Sequence, residues 1–364
     1  MRSRANGGAT PLTGPVLVVG AGLLGTSVGL ALRSRGIEVF LKDVSPEHLR
    51  TASGLGAGVP VDSSVAVELV VVAVPPDHLP STIASELRDT DGVVTDVGSV
   101  KSAPLASVAE MVTAEELSRY VGGHPMAGSE RSGPLAASDA LFEGRPWAVA
   151  PHAGSRPDAV ALVEALVEAC GATPFRFRPD EHDEAVARTS HLPHVVAALV
   201  AGTLAEAPVS HLALSGQGVR DVTRIAGGDP GLWEQILRAN TTALTTMLRE
   251  VRSGLDSVLD ALESGSGPAL LEILDKGVSG TAAIPRKHGL PAVEEAAVFV
   301  RVPDHPGELA RLFSDVGEIG INIEDVRIDH DPGRPYGLVE LSVAAARCEH
   351  LLHALAGRGW QAHR

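Results

Sequence analysis

From Pro15 to about Arg178, short β-branched runs alternate with alanine-rich stretches of helical spacing, the pattern of βαβ units. The runs fall at residues 16–19, 38–41, 69–74, 93–96 and 147–150 and are apolar almost throughout. Strands covered on both faces read this way, so the pattern predicts a Rossmann-type, doubly wound parallel sheet. From about Asp180 the period changes. Segments 195–204, 232–251 and 255–262 carry apolar residues at helical spacing with no strand signal between them, which predicts an all-helical second domain. A stretch rich in Gly, Pro and basic residues follows at 277–291. Beyond it, strands are expected at 297–302, 321–328 and 338–344 and helices at 307–317 and 348–356, the order of a compact ferredoxin-like βαββαβ module. The expected organisation is a flexible tail at 1–14, a parallel-sheet domain at 15–179, a helical domain at 180–276, a linker at 277–293 and a small βαββαβ domain at 294–364.

Composition narrows the function classes. A chain of 364 residues exceeds one ordinary hydrophobic core, and with 44% hydrophobic and 21% charged residues it can bury several. The formal net charge of -15, from 30 Lys and Arg against 45 Asp and Glu, disfavours nucleic acid or an anionic membrane as partner. An anionic small substrate would need a local cationic pocket. Two cysteines, Cys170 and Cys348, make no disulfide framework and no thiolate metal set, and they suit a reducing compartment. The polar start does not read as a signal peptide, and the run around 65–74 is interrupted by Glu68, far short of the roughly 20 apolar residues of a membrane helix. A cytoplasmic protein is expected, without internal repeats.

The strongest local motif is Gly20-Ala21-Gly22-Leu23-Leu24-Gly25, directly after the first strand and opening a helix. Gly20 suits a tight turn, Gly22 a close backbone approach to a pyrophosphate, and Gly25 close helix-strand packing, while the helix N-terminus favours negative charge. Asp43 ends the next strand about 20 residues on, where a carboxylate accepts ribose hydroxyls and repels a 2′-phosphate. NAD is therefore favoured over NADP, although Lys42 and Arg50 stand close enough in sequence to accommodate a phosphate. Ser99 and His124 follow strand ends, where open parallel sheets bind ligands. His124, between Gly122-Gly123 and Pro125, is expected in a rigid turn; its ordinary pKa of about 6.5 suits it to accept an alcohol proton, and the bland alternative is a structural turn histidine.

In the helical region, the run Asp180-Glu181-His182-Asp183-Glu184 precedes Ser190-His191-Leu192-Pro193-His194. His191 and His194 invite a metal reading, but Pro193 fits the first turn of a helix and the acidic run a solvated helix start, so no metal is assigned. Arg220 and Arg224, four apart, would share a helix face able to grip a carboxylate, or form surface pairs such as one with Asp221.

Taken together, the Gly20 to Gly25 fingerprint, Asp96-Val97-Gly98-Ser99-Val100-Lys101, Gly123-His124-Pro125-Met126-Ala127-Gly128-Ser129-Glu130, Ser190-His191-Leu192-Pro193-His194 and Arg220-Asp221-Val222-Thr223-Arg224-Ile225-Ala226 resemble, in that order, the prephenate dehydrogenase family. The segment from Val302-Pro303-Asp304-His305-Pro306-Gly307 to Asn322 resembles an ACT domain, an amino-acid-sensing module. One departure is Ser102, where the family usually has glycine. The resemblance implies NAD-dependent oxidative decarboxylation of prephenate to 4-hydroxyphenylpyruvate in tyrosine biosynthesis, with arogenate dehydrogenase or a non-catalytic metabolite sensor as alternatives. It implies that His124 deprotonates the ring hydroxyl, Ser99 orients His124, Arg224 binds the ring carboxylate, and His191 and Ser129 line the substrate pocket. Gly20, Gly22, Leu23, Leu24, Gly25, Asp43, Val74 and Ser99 would contact the cofactor. A homodimer and feedback by tyrosine are the implied assembly and regulation. Lys101, Arg131 and Arg220 remain candidates for the side-chain carboxylate or plain surface charges.

Overall fold

The computed structural model describes residues 12–61, 65–128, 132–284, 295–329 and 335–364. The chain divides into two compact units, one up to Leu255 and one from Asp256.

The first unit is built on an eight-stranded sheet: β1 (Val16–Val19), β2 (Val39–Lys42), β3 (Val59–Pro60), β4 (Leu69–Val72), β5 (Val93–Asp96), β6 (Tyr120–Pro125), β7 (Pro146–Ala150) and β8 (Thr173–Arg176). Their order across the sheet is β3-β2-β1-β4-β5-β6-β7-β8. Strands β1, β4 and β5 are buried along their whole length; β1 and β4 are continuous Val and Leu, as strands covered on both faces require, whereas β5 ends in the buried polar pair Thr95 and Asp96. The order reverses between β1 and β4, so the crevice for a ligand lies beyond the carboxyl ends of these two strands. Two short strands escaped the apolar pattern, β3 because it is a two-residue exposed edge and β8 because it is polar and mostly exposed.

Three expectations change here. Strand β7 runs antiparallel to β6, pairing Gly123 with Val149 and His124 with Ala148, so His124 belongs to a strand and not to a turn. Residues 12–14 are tied down where a flexible tail was expected: Leu12 is buried, and the Thr13 and Gly14 N–H groups donate to the Glu68 carboxylate at 3.0 and 2.7 Å. The helical region is more broken than its period suggested. Segment 232–251 divides at the buried Asn240, whose backbone leaves the helical region at φ -113° and ψ 34°, between the helices Pro230–Ala239 and Thr241–Glu263.

In the second unit, β9 (Glu295–Pro303), β10 (Asp325–Asp329), β11 (Tyr336–Ala344) and β12 (Gln361–His363) form an antiparallel sheet in the order β10-β11-β9-β12. With the helices Glu308–Ile319 and Ala345–Gly357 this is the expected βαββαβ plan. Val298, Val300, Val339 and Leu341 alternate inward and pack with Leu312, Val316, Leu351 and Leu355. The helix Gly267–Ala282 continues past residue 276, so 277–282 are helical and not linker. No helix among the described residues is long and apolar enough to cross a membrane.

Candidate active site

The fingerprint turn adopts the geometry its glycines suggested. Gly20 has φ +104°, and a Cβ there would lie 2.4 Å from the Ala73 carbonyl oxygen. A Cβ on Gly25 would lie 1.9 Å from the Gly20 oxygen, so the helix Leu23–Ser34 can approach β1 only without one. Around Gly22 the space is open, and the helix that it precedes has no side-chain cap, leaving its first N–H groups turned to any anion placed there. Leu24 packs on the core beneath, Leu23 begins the helix, and Val74 lies just past the end of β4. Asp43 accepts hydrogen bonds from the Ala21 and Ser45 N–H groups at 2.5 and 2.6 Å, which holds its carboxylate over the turn. Lys42 pairs with Glu86 at 2.8 Å, and Arg50, on the helix Pro46–Gly54 that follows Asp43 in sequence, is exposed. Open backbone, uncapped helix and fixed carboxylate together fit a dinucleotide with a free ribose 2′-hydroxyl.

A second cluster grows from the ends of β5 and β6. Asp96 closes β5 fully buried and accepts from four groups: the Tyr120 hydroxyl at 2.9 Å, the Gly98 N–H at 2.9 Å, the Gly123 N–H at 3.2 Å, and Lys101 Nζ. Lys101 also donates to the Gly123 carbonyl at 2.7 Å. Taking two ions from water costs several kcal/mol each, and this full set of partners offsets that cost. Lys101 is only 1% exposed, so it is neither a surface charge nor free to bind a substrate carboxylate. The crowding explains the glycine beside His124: a Cβ on Gly123 would lie 2.5 Å from the Asp96 carbonyl oxygen.

His124 is held by a residue that the sequence placed in a solvated run. Its Nδ1 lies 2.9 Å from His182 Nε2, and His182 Nδ1 lies 2.9 Å from Asp183 Oδ1. The Asp183 carboxylate also accepts the backbone N–H groups of Lys101 and Ser102, each at 2.8 Å. Ser102, the departure from the family pattern, thus takes part through its main chain. The helix Pro179–Val186 keeps Asp180 and Glu181 in solvent but buries His182 and Asp183, so the acidic run is only half a solvated helix start. Burial, reinforced by His182, Lys101 and His191, holds the His124 imidazole well below its ordinary pKa. Burial lowers His182 as well, against the opposing pull of Asp183. Burial alone would raise Asp183, but its bonds from His182, Lys101 and Ser102 prevail and keep it below the usual carboxylate range.

Ser99, expected to orient His124, makes no side-chain hydrogen bond among the described residues; it lines a cavity with Leu79, Gly98, Ile236 and Ala239. His182 is what holds His124. From Asp183 the network runs on through the helical region. Asn240 Nδ2 donates to the Asp183 carbonyl at 2.8 Å and lies 3.1 Å from His191 Nδ1. His191 therefore accepts at Nδ1, and its Nε2, buried without a partner, carries the hydrogen. Burial pushes its pKa down to about 4. His194 stacks on Trp233, ring centroids 3.5 Å apart. The helix Leu192–Gly202 packs against the turn Arg224–Gly227, where Arg224 is exposed and has no side-chain partner among the described residues. Arg220 is exposed too, and Asp221 pairs with Gln217 at 2.8 Å and not with either arginine. Ser129 and Arg131 lie outside the described residues.

Residues 28–175 match the family described as the nucleotide-binding domain of prephenate dehydrogenase, and 178–276 the family described as its dimerization domain. A Streptomyces niveus protein named "Probable prephenate dehydrogenase NovF" is 38% identical over 361 residues, 95% of this chain and 99% of its own length. The chain belongs to the prephenate dehydrogenase family. The family's Bacillus subtilis prephenate dehydrogenase is 29% identical over 328 residues, covering 86% of this chain and 87% of its own length. Among solved structures, prephenate dehydrogenase from A. aeolicus, in complex with hydroxyphenyl propionate and NAD+, superposes with a TM-score of 0.68 at 27% identity over 74% of this chain and 98% of its own. Synechocystis arogenate dehydrogenase gives 0.64 at 26%, over 73% and 98%. The βαββαβ unit after residue 294 lies beyond both family matches.

Proposed function

We propose that this member of the prephenate dehydrogenase family oxidises prephenate with NAD to 4-hydroxyphenylpyruvate and carbon dioxide. The observation that carries the reading is His124: a neutral imidazole at the end of β6, gripped at Nδ1 and free at Nε2 among the described residues. The substrate carries a hydroxyl on a cyclohexadiene ring, opposite a carbon that bears a carboxylate and a pyruvyl side chain. Loss of hydride from the hydroxyl-bearing carbon and of carbon dioxide from the opposite one leaves an aromatic ring, so the reaction runs strongly downhill. The chemistry that the cofactor supplies is hydride acceptance. The chain must orient the substrate and take the hydroxyl proton, which is the task of His124 Nε2. His191 offers a buried N–H donor and Arg224 a guanidinium without a side-chain partner among the described residues, suited to the substrate's oxygens and ring carboxylate. Ser99, which lines a cavity with Gly98 and Leu79, would border the nicotinamide end, and Asp43 would receive the ribose hydroxyls.

Replacing His124 with Asn is expected to lower turnover about 10²- to 10⁴-fold with a smaller change in prephenate KM. NADH formation by the variant at the parent rate would remove His124 from the mechanism. Arg224→Ala should chiefly raise KM, by about 1.5–3 kcal/mol of lost charge-assisted bonding. Parallel assays with arogenate decide the closest rival, since that substrate differs only where an amino group replaces the side-chain keto group. The protein assembles as a homodimer in this reading. Val209, Leu214 and Val222 of the region matched to the dimerization domain are exposed, more apolar surface than a lone helical domain usually leaves in water. A stable, active monomer in sedimentation would refute the dimer. The βαββαβ unit serves as an ACT-type sensor of tyrosine, read out as inhibition by millimolar tyrosine. Two buried, unpaired cysteines suit the reducing cytoplasm in which such an enzyme would act.

A further inference from the structure

The geometry points to a proton relay in which His182 and Asp183 act as positioning residues: Asp183 fixes the tautomer of His182, His182 fixes that of His124, and the proton taken from substrate is shared along the line. The hydrogen-bond bookkeeping allows one assignment. Both Asp183 oxygens face backbone N–H donors, from Lys101 at 2.8 Å and Ser102 at 2.8 Å, so the group is a carboxylate and can only accept. His182 Nδ1, 2.9 Å from Oδ1, therefore carries a hydrogen. A neutral His182 then has a lone pair at Nε2, which must accept from His124 Nδ1 at 2.9 Å. His124 is thereby left with its lone pair at Nε2, the state a general base needs. A lone imidazole in water divides itself between both tautomers; this one is assigned by a carboxylate two residues away in the hydrogen-bond line.

The same line carries charge. When His124 Nε2 takes the hydroxyl proton, the O–H bonding pair stays on oxygen to form the carbonyl, and His124 becomes an imidazolium. Passing the Nδ1 proton to His182 returns His124 to neutrality as its Nε2–H tautomer and places the positive charge on His182, beside the Asp183 carboxylate. No electrons move through the relay. The groups surrounding it are Lys101 and His191 near His124, and Lys101, Asp96 and Asp183 near His182. With a buried ammonium on one side, a carboxylate at the far end is what makes a second cation tolerable. Asp183 also ties the relay to Asn240, between the helices Pro230–Ala239 and Thr241–Glu263, because its own carbonyl accepts from the Asn240 side chain.

This inference rests on His124 being the base, and its test separates the two. Proton-detected NMR of the full chain with ¹⁵N-labelled histidine, without substrate, should show His124 and His182 both as neutral Nδ1–H tautomers. In Asp183→Asn and in His182→Gln, the His124 signal should become a mixture of tautomers or the Nε2–H form. Kinetics should show kcat lowered about 10²- to 10⁴-fold in both variants, while KM for prephenate and Kd for NAD move less than about threefold. His124 as the Nε2–H form in the parent, or both variants keeping parent kcat, would overturn the relay. A general loosening would raise KM and Kd together with the fall in kcat, and that pattern would overturn it too. His182→Gln keeps a polar side chain of similar reach and supplies the answer if Asp183→Asn does not fold. A parent enzyme with the expected tautomers but no NADH formation from prephenate or arogenate would refute the proposed activity and leave the tautomer assignment standing.

Discussion

Two sites at the same edge of one sheet are built in opposite ways. The fingerprint turn between β1 and the helix Leu23–Ser34 is made of backbone: glycines that let main chains touch, N–H groups left open, and one carboxylate 22 residues on. The cluster under His124 is made of side chains from four separated segments, with Lys101 and Asp183 82 residues apart and His124 and His182 58 apart. The first is a local conformation that receives its charge from a ligand. The second carries its own ions, buried and mutually neutralised, and therefore has to be complete before it is stable. A backbone site tolerates change wherever space is open, whereas a buried ionic site fails when any one member is removed.

That contrast can be tested from the severest case downward. Lys101→Met leaves the Asp96 carboxylate buried without its cation and is expected to destabilise the protein by about 3–5 kcal/mol in denaturant titration; a loss under 1 kcal/mol would mean that the three N–H and O–H donors suffice for Asp96. Gly25→Ala forces a Cβ to 1.9 Å from the Gly20 oxygen, and should cost about 1–3 kcal/mol as well as NAD affinity. Gly22→Ala, three residues away in open space, should leave the melting temperature of the unliganded protein nearly unchanged while weakening NAD binding in calorimetry. Equal effects of the two substitutions on the unliganded protein would erase the distinction drawn between them.

Acid should act on the histidine cluster. The folded pKa of His191 is lowered to about 4, and those of His124 and His182 lie below their ordinary value of 6.5. The unfolded chain then binds more protons than the folded one across that interval. Their contribution to stability is present above pH 6.5 and is lost as pH falls toward 4. Melts at a series of pH values should show the loss, and His191→Asn should flatten it. The smallest effect is expected at the exposed ion pair of Arg238 with Asp77, 2.9 Å apart, where Arg238→Ala should change stability by about 0–1 kcal/mol.

The sequence made much of this legible. Apolar runs located β1 and β5 to the residue, the fingerprint placed its own turn, and the βαββαβ order of the second unit was readable from alternation. His124 was recognised as the candidate base, but its setting was misjudged: Gly-Gly and Pro are turn signals, and only pairing with β7 draws them into a strand. His182 and Asp183 were read as part of a solvated charge run, because composition along a helix does not say which side the fold will cover. A signal existed in the helical period, since positions 182, 183 and 186 share one face and Val186 is apolar. Asn240 gave none; an asparagine inside an apolar helical pattern declares nothing until its partners are known.

What the chain itself determined is whatever depends on neighbours within a few residues: strand and helix periods, the tight glycine turn, the ordered motifs of the prephenate dehydrogenase family. Tertiary structure alone decided which charged groups leave water and whom they meet there. Burial converts Lys101, Asp96, Asp183, His124 and His182 from solvated side chains into one bonded network, because in a medium of low dielectric each ion is tolerable only beside its partner. That partner can lie anywhere along 364 residues, and spacing along the chain carries no record of it.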